Sequence, residues 1–371
     1  MRRILAAALL LIVLSPWAAA SEALSVPARG AALIDADSGR VLFGQNENQL
    51  LPMASTTKVM TALLALESGD PGQRVTAGKN ASGVPGTSLY LSEGETLTLE
   101  QLLYGLLLRS GNDAAVAIAE HVSGGVPAFV ERMNARAKAL GADARFSNPH
   151  GLDAEGHAAS ALGMALILRE AMKREDFRAI TATQRKVIPW VGNEYSRVLE
   201  NKNRLLKTYP GILGGKTGYT GKAGRCLVFA AERNGLTLVG AVLNCPTWFD
   251  TAAALLDYGF ENYRSESAAA AGAVVASVPV LNGTAASVDA LTREALSVAV
   301  RADSKAETVV DLPDHIEAPV RAGDALGTLS IREDGVVVAR CALLAAADVP
   351  RRSLSQSLRR LLRRWVLRFG P

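Results

Sequence analysis

Three short motifs in this chain combine a serine hydroxyl, two lysine amines and a side-chain amide. In chain order they are Ser-Thr-Thr-Lys at 55–58, Ser-Gly-Asn at 110–112 and Lys-Thr-Gly at 216–218, and each occurs once. Any one of them is a weak signal, because serine, lysine and glycine are common residues. Together, in this order and within about 160 residues, they indicate an enzyme that is acylated on a serine and uses lysine instead of histidine as its base.

The first motif supplies the nucleophile and its base. A serine hydroxyl is a poor nucleophile until a base removes its proton, and on a helix Ser55 and Lys58 would share one face because they are three residues apart. A lysine in water titrates near ~10.4, so the amine of Lys58 must be brought towards neutrality by burial or by a second cation. We assign that second charge to Lys216. At a helix start, Ser55 would also lie beside free N–H groups that can stabilise an oxyanion.

The other two motifs suit a peptide substrate. Ser110 can relay a proton from the base lysine to the leaving amine, and Asn112 can hold both that lysine and a substrate amide. Lys216 and Thr217 offer a cation and a hydroxyl to a substrate carboxylate. Gly218 removes a side chain where a substrate backbone must come close. An extended peptide is therefore predicted to lie alongside an edge strand that carries these residues.

Each of these residues also has an ordinary structural interpretation. Ser55 alone could be a helix N-cap, Lys58 a solvated side chain, and residues 110–112 a turn. The joint occurrence of the three motifs, together with the signs of export described next, favours the catalytic interpretation.

The first 20 residues are typical of a secretory signal peptide. Arg2 and Arg3 precede an apolar run over residues 4–14, and alanines follow at 18–20. A basic head, a short apolar middle and a small-residue end predict cleavage near Ala20 and export of the mature protein. The alternative is an uncleaved anchor, although the run is too short for an ordinary transmembrane helix.

Positive charge is concentrated at the two ends of the chain. The net charge is +4, with two arginines in the first 20 residues, seven in the last 22, and no acidic residue in either segment. The body between them therefore carries −5. Because the excess positive charge belongs to the tails, nothing predicts nucleic-acid binding by the folded body.

The chain has three cysteines, Cys226, Cys245 and Cys341, so they cannot all pair internally. The predicted hairpin described below would bring Cys226 and Cys245 near each other, and export permits a disulfide between them. The alternative is three buried thiols that act as small apolar side chains. Neither the cysteines nor the four histidines have metal-ligand spacing, so no metal or other cofactor is predicted.

The elements around the motifs predict an α/β catalytic domain over residues 21–264. Apolar alternation predicts strands at 31–35 and 41–43, and Asn234-Gly235 predicts a hairpin turn between strands at 227–232 and 236–244. Helical spacing of apolar residues predicts helices at 55–67, 97–108, 113–122, 126–140, 158–173 and 251–263. Lys216 would start or end a strand at the sheet edge. This order is typical of one antiparallel sheet packed by helices.

The remainder of the chain predicts a second domain and an anchor. Residues 265–272 are rich in Ser, Glu, Ala and Gly, which predicts a linker, and the whole segment 265–349 predicts a small all-β domain without a catalytic motif. Its predicted strands are 274–280, 296–300, 308–312, 326–332 and 336–343. Residues 350–371 predict a helix with leucines, Trp365 and Phe369 on one face and arginines on the other. That pattern favours an in-plane anchor on an anionic membrane surface; the alternative is a helix packed on its own protein.

With these motifs, the chain resembles the serine-type D-alanyl-D-alanine carboxypeptidases, the low-molecular-mass penicillin-binding proteins of peptidase family S11. The resemblance covers about residues 25–350. Four further segments carry it: T-S-L-Y-L at 87–91, L-Y-G-L-L at 103–107, F-S-N-P-H-G-L at 146–152 and L-D-Y-G-F at 256–260. It implies the fold of the penicillin-binding and β-lactamase-like transpeptidase domain, followed by a β-rich domain and a terminal amphipathic anchor.

The resemblance implies a role for each motif residue. Ser55 would be acylated by the penultimate D-alanine of a peptidoglycan stem peptide, with Lys58 as base and with Ser110 and Asn112 as catalytic partners. The residues that match the family's substrate-binding strand are Lys216, Thr217, Gly218 and Tyr219. The backbone N–H groups of Ser55 and Tyr219 would form the oxyanion hole. β-Lactam antibiotics would be acylating inhibitors, and the enzyme would act at the outer face of the cytoplasmic membrane.

Some features are less decisive. Gly111 stands in the middle of the second motif, as in carboxypeptidases, where many lactamases have Asp. An Asp is common in the family at the position of Gly163, so the role of that helix is left open. No residue of the loop around His150, including Asp153 and Glu155, is marked as the base for deacylation, and His150 and His157 have an equal claim to be structural.

The function predicted is removal of the terminal D-alanine from wall peptides. Three alternatives share the fold: a β-lactamase, a non-catalytic protein that senses or binds wall peptides, and a D,D-endopeptidase that cuts cross-links. Gly111, the β domain and the anchor count against the lactamase.

Overall fold

The structure is a computed structural model that describes residues 24–359. The predicted signal peptide and residues 360–371 of the predicted anchor lie outside that range. The helices are α1 (Lys58–Ser68), α2 (Leu99–Tyr104), α3 (Asn112–Ser123), α4 (Val126–Ala139), α5 (Ala161–Met172), α6 (Glu175–Ala182), α7 (Leu205–Thr208) and α8 (Trp248–Asn262). Between residues 24 and 359, no helix has the length and apolar content that a membrane crossing requires.

Residues 24–262 contain one large sheet and three small two-stranded ones. Their strands are β1 (Gly30–Asp35), β2 (Val41–Gln45), β3 (Arg74–Thr76), β4 (Thr96–Thr98), β5 (Ala144–Arg145), β6 (Ala158–Ala159), β7 (Arg185–Ile188), β8 (Arg197–Glu200), β9 (Ile212–Thr220), β10 (Gly224–Arg233) and β11 (Leu236–Leu243). The large sheet has the order β2-β1-β11-β10-β9, and all of its neighbouring strands are antiparallel. The predicted antiparallel sheet is therefore confirmed.

The sheet separates two apolar cores because alternate residues of a strand point to opposite faces. On β10, Val228 and Ala230 face the larger core, which contains α1, α3 and α5. Leu227 and Phe229 face the smaller core, which is covered by α8. The predicted packing of helices against the sheet is thus present on both faces.

The hairpin prediction is confirmed, whereas the disulfide hypothesis is wrong. Asn234 and Gly235 join β10 to β11 with φ values of 51° and 77°, which are typical of a type I′ turn. All three cysteines are free and buried. Cys226 belongs to the larger core and Cys245 to the smaller one, so their side chains lie on opposite faces of the sheet and cannot pair.

Several predicted helices begin or end differently. Residues 54–57 form a 3₁₀ turn before α1, and the segment predicted as a helix at 97–108 begins in β4, continues as α2 and ends in a π-helical turn over Gly105–Arg109. The predicted helix at 158–173 begins later, because β6 comes first and Ser160 caps α5 by accepting a hydrogen bond from the N–H of Gly163 at 2.9 Å. A Cβ at Gly163 would lie 2.7 Å from the carbonyl oxygen of Asp143. An Asp at this position would therefore require that backbone to shift.

The second half of the chain is all-β, as predicted. Its strands are β12 (Tyr263–Ala269), β13 (Val274–Leu281), β14 (Ser287–Thr292), β15 (Leu296–Arg301), β16 (Ala306–Asp311), β17 (Ile316–Glu317), β18 (Ala325–Glu333) and β19 (Val336–Ala345). Six of them form a sheet of order β16-β18-β19-β14-β13-β17, and β12 pairs with β15. The predicted linker at 265–272 is wrong, because β12 follows α8 directly and its backbone pairs with β15.

Polar contacts join the two halves. The carboxylate of Asp35 accepts a hydrogen bond from the N–H of Ala299 at 3.1 Å, and Arg40 donates to the Ala299 carbonyl at 2.8 Å. Arg40 also forms an ion pair with Glu333 at 2.6 Å. After these domains, residues 354–359 are helical, and the side chains of Leu354 and Leu358 are exposed.

Candidate active site

The 3₁₀ turn before α1 presents Ser55 at the surface of the larger core. Ala54 has a positive φ of 49°, which a residue with a Cβ rarely adopts. The turn is held from within, because Thr57 Oγ1 donates to the carbonyl of Ala54 at 2.8 Å. Neither helical segment is capped by a side chain. Ser55 is therefore not an N-cap, and its hydroxyl is available for another partner.

That partner is Lys58. Its Nζ lies 2.9 Å from Ser55 Oγ, 2.8 Å from Asn112 Oδ1, and within hydrogen-bond distance of the carbonyl oxygen of His150. The side chain is fully buried, so the interpretation as a solvated lysine is wrong. Burial, followed by the charges of Lys216 and Lys202, holds the pKa of Lys58 well below its ordinary value. The amine can therefore be neutral at the pH where a base is needed.

The second motif sits at the junction of the π-helical turn and α3. Ser110 adopts a left-handed backbone with φ 70° and is buried. Asn112 begins α3, donates through Nδ2 to the Pro85 carbonyl at 2.6 Å, and donates through its backbone N–H to Thr87 at 2.7 Å. The amide of Asn112 is thus fixed with its oxygen towards Lys58. Residues 110–112 do lie at a turn, and that turn brings the motif to Lys58.

A residue that the sequence analysis missed holds this side of the site. The carboxylate of Asp113 is fully buried and accepts hydrogen bonds from Ser88 Oγ and from the backbone N–H groups of Leu89 and Leu91, at 2.6–3.0 Å. It therefore fixes the segment 87–91 above Asn112. The sequence signal for this role was slight, since an acid in the first turn of a helix is common for electrostatic reasons alone.

The third motif lies inside β9, which is the edge strand of the large sheet, as predicted, although Lys216 is in the middle of the strand and not at its end. Lys216 is buried, and its Nζ donates to the carbonyl of Thr217 at 2.8 Å. Burial, followed by the charge of Lys202, lowers the pKa of Lys216 to about 7. From α6, the Thr181 hydroxyl bonds to both the N–H and the carbonyl of Gly215, at 3.0 Å and 2.8 Å, which fixes the strand before the motif.

Gly218 and Tyr219 complete the strand. A Cβ at Gly218 would lie 2.9 Å from the backbone nitrogen of Ser55 and 3.0 Å from the carbonyl oxygen of Met53. Gly218 thus makes room for the protein's own nucleophile turn, while its predicted role of admitting a substrate backbone stays a prediction. The side chain of Tyr219 is 67% exposed and stands at the open side of the strand.

The loop around His150 packs against the back of the nucleophile turn. Gly151 has φ +89°, and a Cβ there would lie 2.0 Å from the Ala54 carbonyl oxygen. His157 Nδ1 accepts a hydrogen bond from the N–H of Ser147 at 3.0 Å, so Nε2 carries the proton and donates to Thr57 Oγ1 at 2.8 Å. His157 therefore positions the turn between Ser55 and Lys58. Burial lowers the pKa of His150 and of His157 to about 4, so both rings are neutral at pH 7.

A second buried charged group lies beside the site. Arg197 on β8 forms two hydrogen bonds with Glu95, at 2.5 Å and 2.9 Å, and also donates to the carbonyls of Leu89 and Tyr90. It therefore holds the same 87–91 segment that Asp113 holds. Among the residues of the range 24–359, no three His, Cys, Asp or Glu side chains are grouped as a metal ion would require.

The fold and the site together define the class of protein. An antiparallel sheet packed by helices carries a serine and a desolvated lysine at a helix start, next to an edge strand with a second buried lysine. This is the penicillin-binding-protein fold with its C-terminal β domain. The family profile described as D-alanyl-D-alanine carboxypeptidase matches residues 17–247, and that of the C-terminal domain of penicillin-binding protein 5 matches residues 263–351. The chain belongs to the D-alanyl-D-alanine carboxypeptidase family.

Individual relatives agree with this assignment. D-alanyl-D-alanine carboxypeptidase DacF of Bacillus subtilis is 34% identical over an alignment 387 positions long, which covers 99% of this chain and 99% of the relative. DacA of Escherichia coli is 32% identical, with 86% of this chain and 82% of the relative covered. Among solved structures, penicillin-binding protein 5 of Haemophilus influenzae superposes with a TM-score of 0.79 at 29% identity, covering 88% of this chain and 99% of that one.

Proposed function

We propose that this chain is an exported serine-type D-alanyl-D-alanine carboxypeptidase, which removes the terminal D-alanine from peptidoglycan stem peptides through an acyl-enzyme on Ser55. The observation that carries the proposal is the contact between Ser55 Oγ and the Nζ of the fully buried Lys58, at 2.9 Å. Family membership supports the substrate class, because its named members are D-alanyl-D-alanine carboxypeptidases.

Acylation begins when neutral Lys58 takes the proton of Ser55. The Ser55 oxygen then attacks the carbonyl carbon of the penultimate D-alanine, and the backbone N–H groups of Ser55 and Tyr219 stabilise the oxyanion. The proton passes through Ser110 to the leaving amine, so free D-alanine departs. Water then cleaves the ester, which returns the proton to the serine and releases the shortened peptide.

Substrate binding uses charge and an open strand edge. The protonated amine of Lys216 and the hydroxyl of Thr217 bind the terminal carboxylate, while the backbone of β9 pairs with the extended peptide. The amide of Asn112 holds the substrate amide on the other side. A β-lactam would acylate the same serine, since it also presents a carboxylate next to a reactive carbonyl.

The proposed organisation of the chain follows its sequence pattern. Residues 1–20 act as signal peptide, 21–264 as the carboxypeptidase domain, 265–349 as the β-rich domain, and 350–371 as an anchor on the anionic outer face of the cytoplasmic membrane. Exposed leucines in the helical stretch at 354–359 support the anchor. Deletion of residues 350–371 should move the protein from membranes to the soluble fraction, and continued sedimentation with anionic vesicles would contradict the anchor.

The first experiment is intact-mass analysis of the protein after exposure to benzylpenicillin, followed over time. A lasting single adduct on Ser55 is expected, together with release of D-alanine from a D-alanyl-D-alanine peptide. Ser55→Ala should abolish both, while the exposed Ser277→Ala serves as the matched control. Rapid loss of penicillin without an adduct would indicate a β-lactamase, and an adduct without D-alanine release would indicate a wall-peptide sensor. Cleavage of the cross-link in cross-linked peptides, without release of D-alanine from linear ones, would indicate an endopeptidase.

A further inference from the structure

A cleft of about 260 Å³ adjoins the active site and has no part in the mechanism above. Its lining comes from three segments that meet beside the second motif. These segments supply Tyr90, Trp190 and Val198 as walls, together with the arginines Arg109 and Arg197. We call this the Arg109 cleft. Its volume is below the roughly 300–1,000 Å³ of pockets that enclose a whole small-molecule ligand, so it suits one side chain of a longer substrate.

The cleft is next to the reacting groups. Arg109 directly precedes Ser110. On the opposite wall, Ser88 follows Thr87, whose carbonyl accepts a hydrogen bond from the backbone N–H of Asn112. Arg109 also lies close enough to Lys202 for its charge to add to burial in lowering the pKa of Lys202. The charge of Lys202 in turn helps to lower the pKa of Lys216. A row of positive charge thus runs from the substrate-binding strand to the cleft.

The walls of the cleft are built and not merely open surface. Tyr90 keeps a left-handed backbone, with φ 61°, that a bulky residue rarely adopts, and Arg197 and Asp113 hold the backbone on either side of it. Trp190 stacks on the guanidinium of Arg197, and Arg197 Cζ lies 4.9 Å from the centroid of the Trp190 ring. The backbone at Tyr90 and the stacked Trp190 are therefore in place before any ligand arrives, which lowers the entropic cost of binding.

The charge of the cleft selects its ligand. The lining contains two arginines and no acidic residue, and Arg197 is already neutralised by Glu95. Within residues 24–359, Arg109 takes part in no ion pair. One free guanidinium beside aromatic and aliphatic walls fits an aliphatic chain that ends in a carboxylate.

We propose that the Arg109 cleft is a specificity subsite for a carboxylate at the end of an aliphatic side chain of the stem peptide, separate from the terminal carboxylate held by Lys216 and Thr217. The proposal rests on the proposed function for the identity of the substrate. Its consequence is that the enzyme distinguishes wall peptides whose side-chain carboxylate is free from those in which it is amidated.

The test compares two synthetic peptides that end in D-alanyl-D-alanine and differ only at the preceding residue, whose aliphatic side chain ends in a carboxylate or in a carboxamide. Dissociation constants are measured by calorimetry with Ser55→Ala, so that binding is read without turnover. The carboxylate peptide should bind about 10-fold more tightly, the effect of one charge-assisted hydrogen bond. Adding Arg109→Gln should bring the ratio to about 1, Arg109→Lys should keep part of it, and the exposed Arg321→Gln should leave it unchanged.

Equal affinity for the two peptides, or a ratio that survives Arg109→Gln, would overturn the subsite. Thermal unfolding of each variant checks that the fold is intact. The proposed function is tested separately by D-alanine release from the carboxamide peptide by the wild-type chain. If no release occurs while the 10-fold ratio stands, the carboxypeptidase proposal fails and the anion subsite remains.

Discussion

Two groups of buried charge, one that holds residues 87–91 and one at the nucleophile, are built in opposite ways. Arg197 and Glu95 are a paired arginine and carboxylate, with side chains only 4% and 2% exposed. Lys58 and Lys216 are equally buried, yet within residues 24–359 neither has an acidic partner. The paired charges hold the backbone in place, whereas the unpaired lysines have strongly lowered pKa values and can exchange protons.

Structural and catalytic charges in this fold differ in whether a counter-charge holds their pKa. Burial alone pushes the pKa of Glu95 up, but its hydrogen bonds with Arg197 hold the pKa below its ordinary value. At Lys58, burial and the neighbouring cations act in the same direction. A buried charge with a partner is therefore locked in one protonation state, while a buried charge without one is poised to change.

The largest effect is expected from Lys58→Met, which removes the base but leaves no charge unpaired. Acylation by benzylpenicillin should slow by about 10³–10⁴-fold, as for loss of a general base. The free energy of unfolding should change by less than about 2 kcal/mol, because the lost hydrogen bonds are offset by removal of a desolvated amine. Stopped-flow acylation and urea unfolding measure the two quantities. If Lys58→Met lost as much stability as Arg197→Met, described next, the unpaired lysines would be as structural as the Arg197–Glu95 pair, and the comparison would fail.

Arg197→Met should have the opposite profile. It leaves the carboxylate of Glu95 buried and uncompensated, so stability should fall by about 3–5 kcal/mol. The double variant Arg197→Met with Glu95→Gln should recover a good part of that loss, because no charge is then left unpaired. Denaturant unfolding of the three proteins gives the values. A single variant as stable as the wild type would show that the ion pair is not structural.

Protonation of His157 should produce the next largest effect, on stability. Its pKa is about 4 in the folded chain and ~6.5 when unfolded, so the unfolded chain binds more protons between these values and stability falls as the pH is lowered from 6.5 to 4. The loss should reach about 3 kcal/mol. His157→Gln should flatten this part of the unfolding profile, whereas the exposed His315→Gln should not. An unchanged slope in His157→Gln would contradict the assignment.

The smallest effect concerns Lys216. Its pKa of about 7 in the free chain means that the cation is lost as the pH rises above 7, and with it the attraction for a substrate carboxylate. From pH 7 to 9, the protonated fraction of a group with this pKa falls from about one half to about 1%. kcat/KM for a peptide with a free C-terminal carboxylate should therefore fall by up to about 50-fold, while kcat changes less because bound substrate raises that pKa. Binding of a peptide with an amidated C-terminus should not show the fall. If the two peptides showed the same pH dependence, Lys216 would not be the group that binds the terminal carboxylate.

Much of the fold and of the site could be predicted from local pattern. Asn-Gly gives a hairpin turn wherever two strands flank it, and apolar spacing located α1, α3, α4 and α8 to within a few residues. The linker prediction failed at 265–272 because small polar residues are also accepted in a strand that is only partly buried, and the pairing partner is about 30 residues away. Asp113, Arg197 and Thr181 were missed, and the role of His157 was left open, for the same reason, since their contacts join distant parts of the chain.

The sequence alone determined which groups can do chemistry: a serine three residues before a lysine, an amide after a tight turn, and a second lysine before Thr-Gly. Only the tertiary structure decided their chemical state. Lys58 becomes a base because packing removes water and brings the charges of Lys216 and Lys202 near it, which together outweigh the opposing charge of Asp113. Lys216 lies beside it because β9 is the strand that meets the nucleophile turn at Gly218. The type of each side chain and its preference for helix or strand are local properties of the sequence. A pKa, in contrast, depends on desolvation and on charges that the fold brings close.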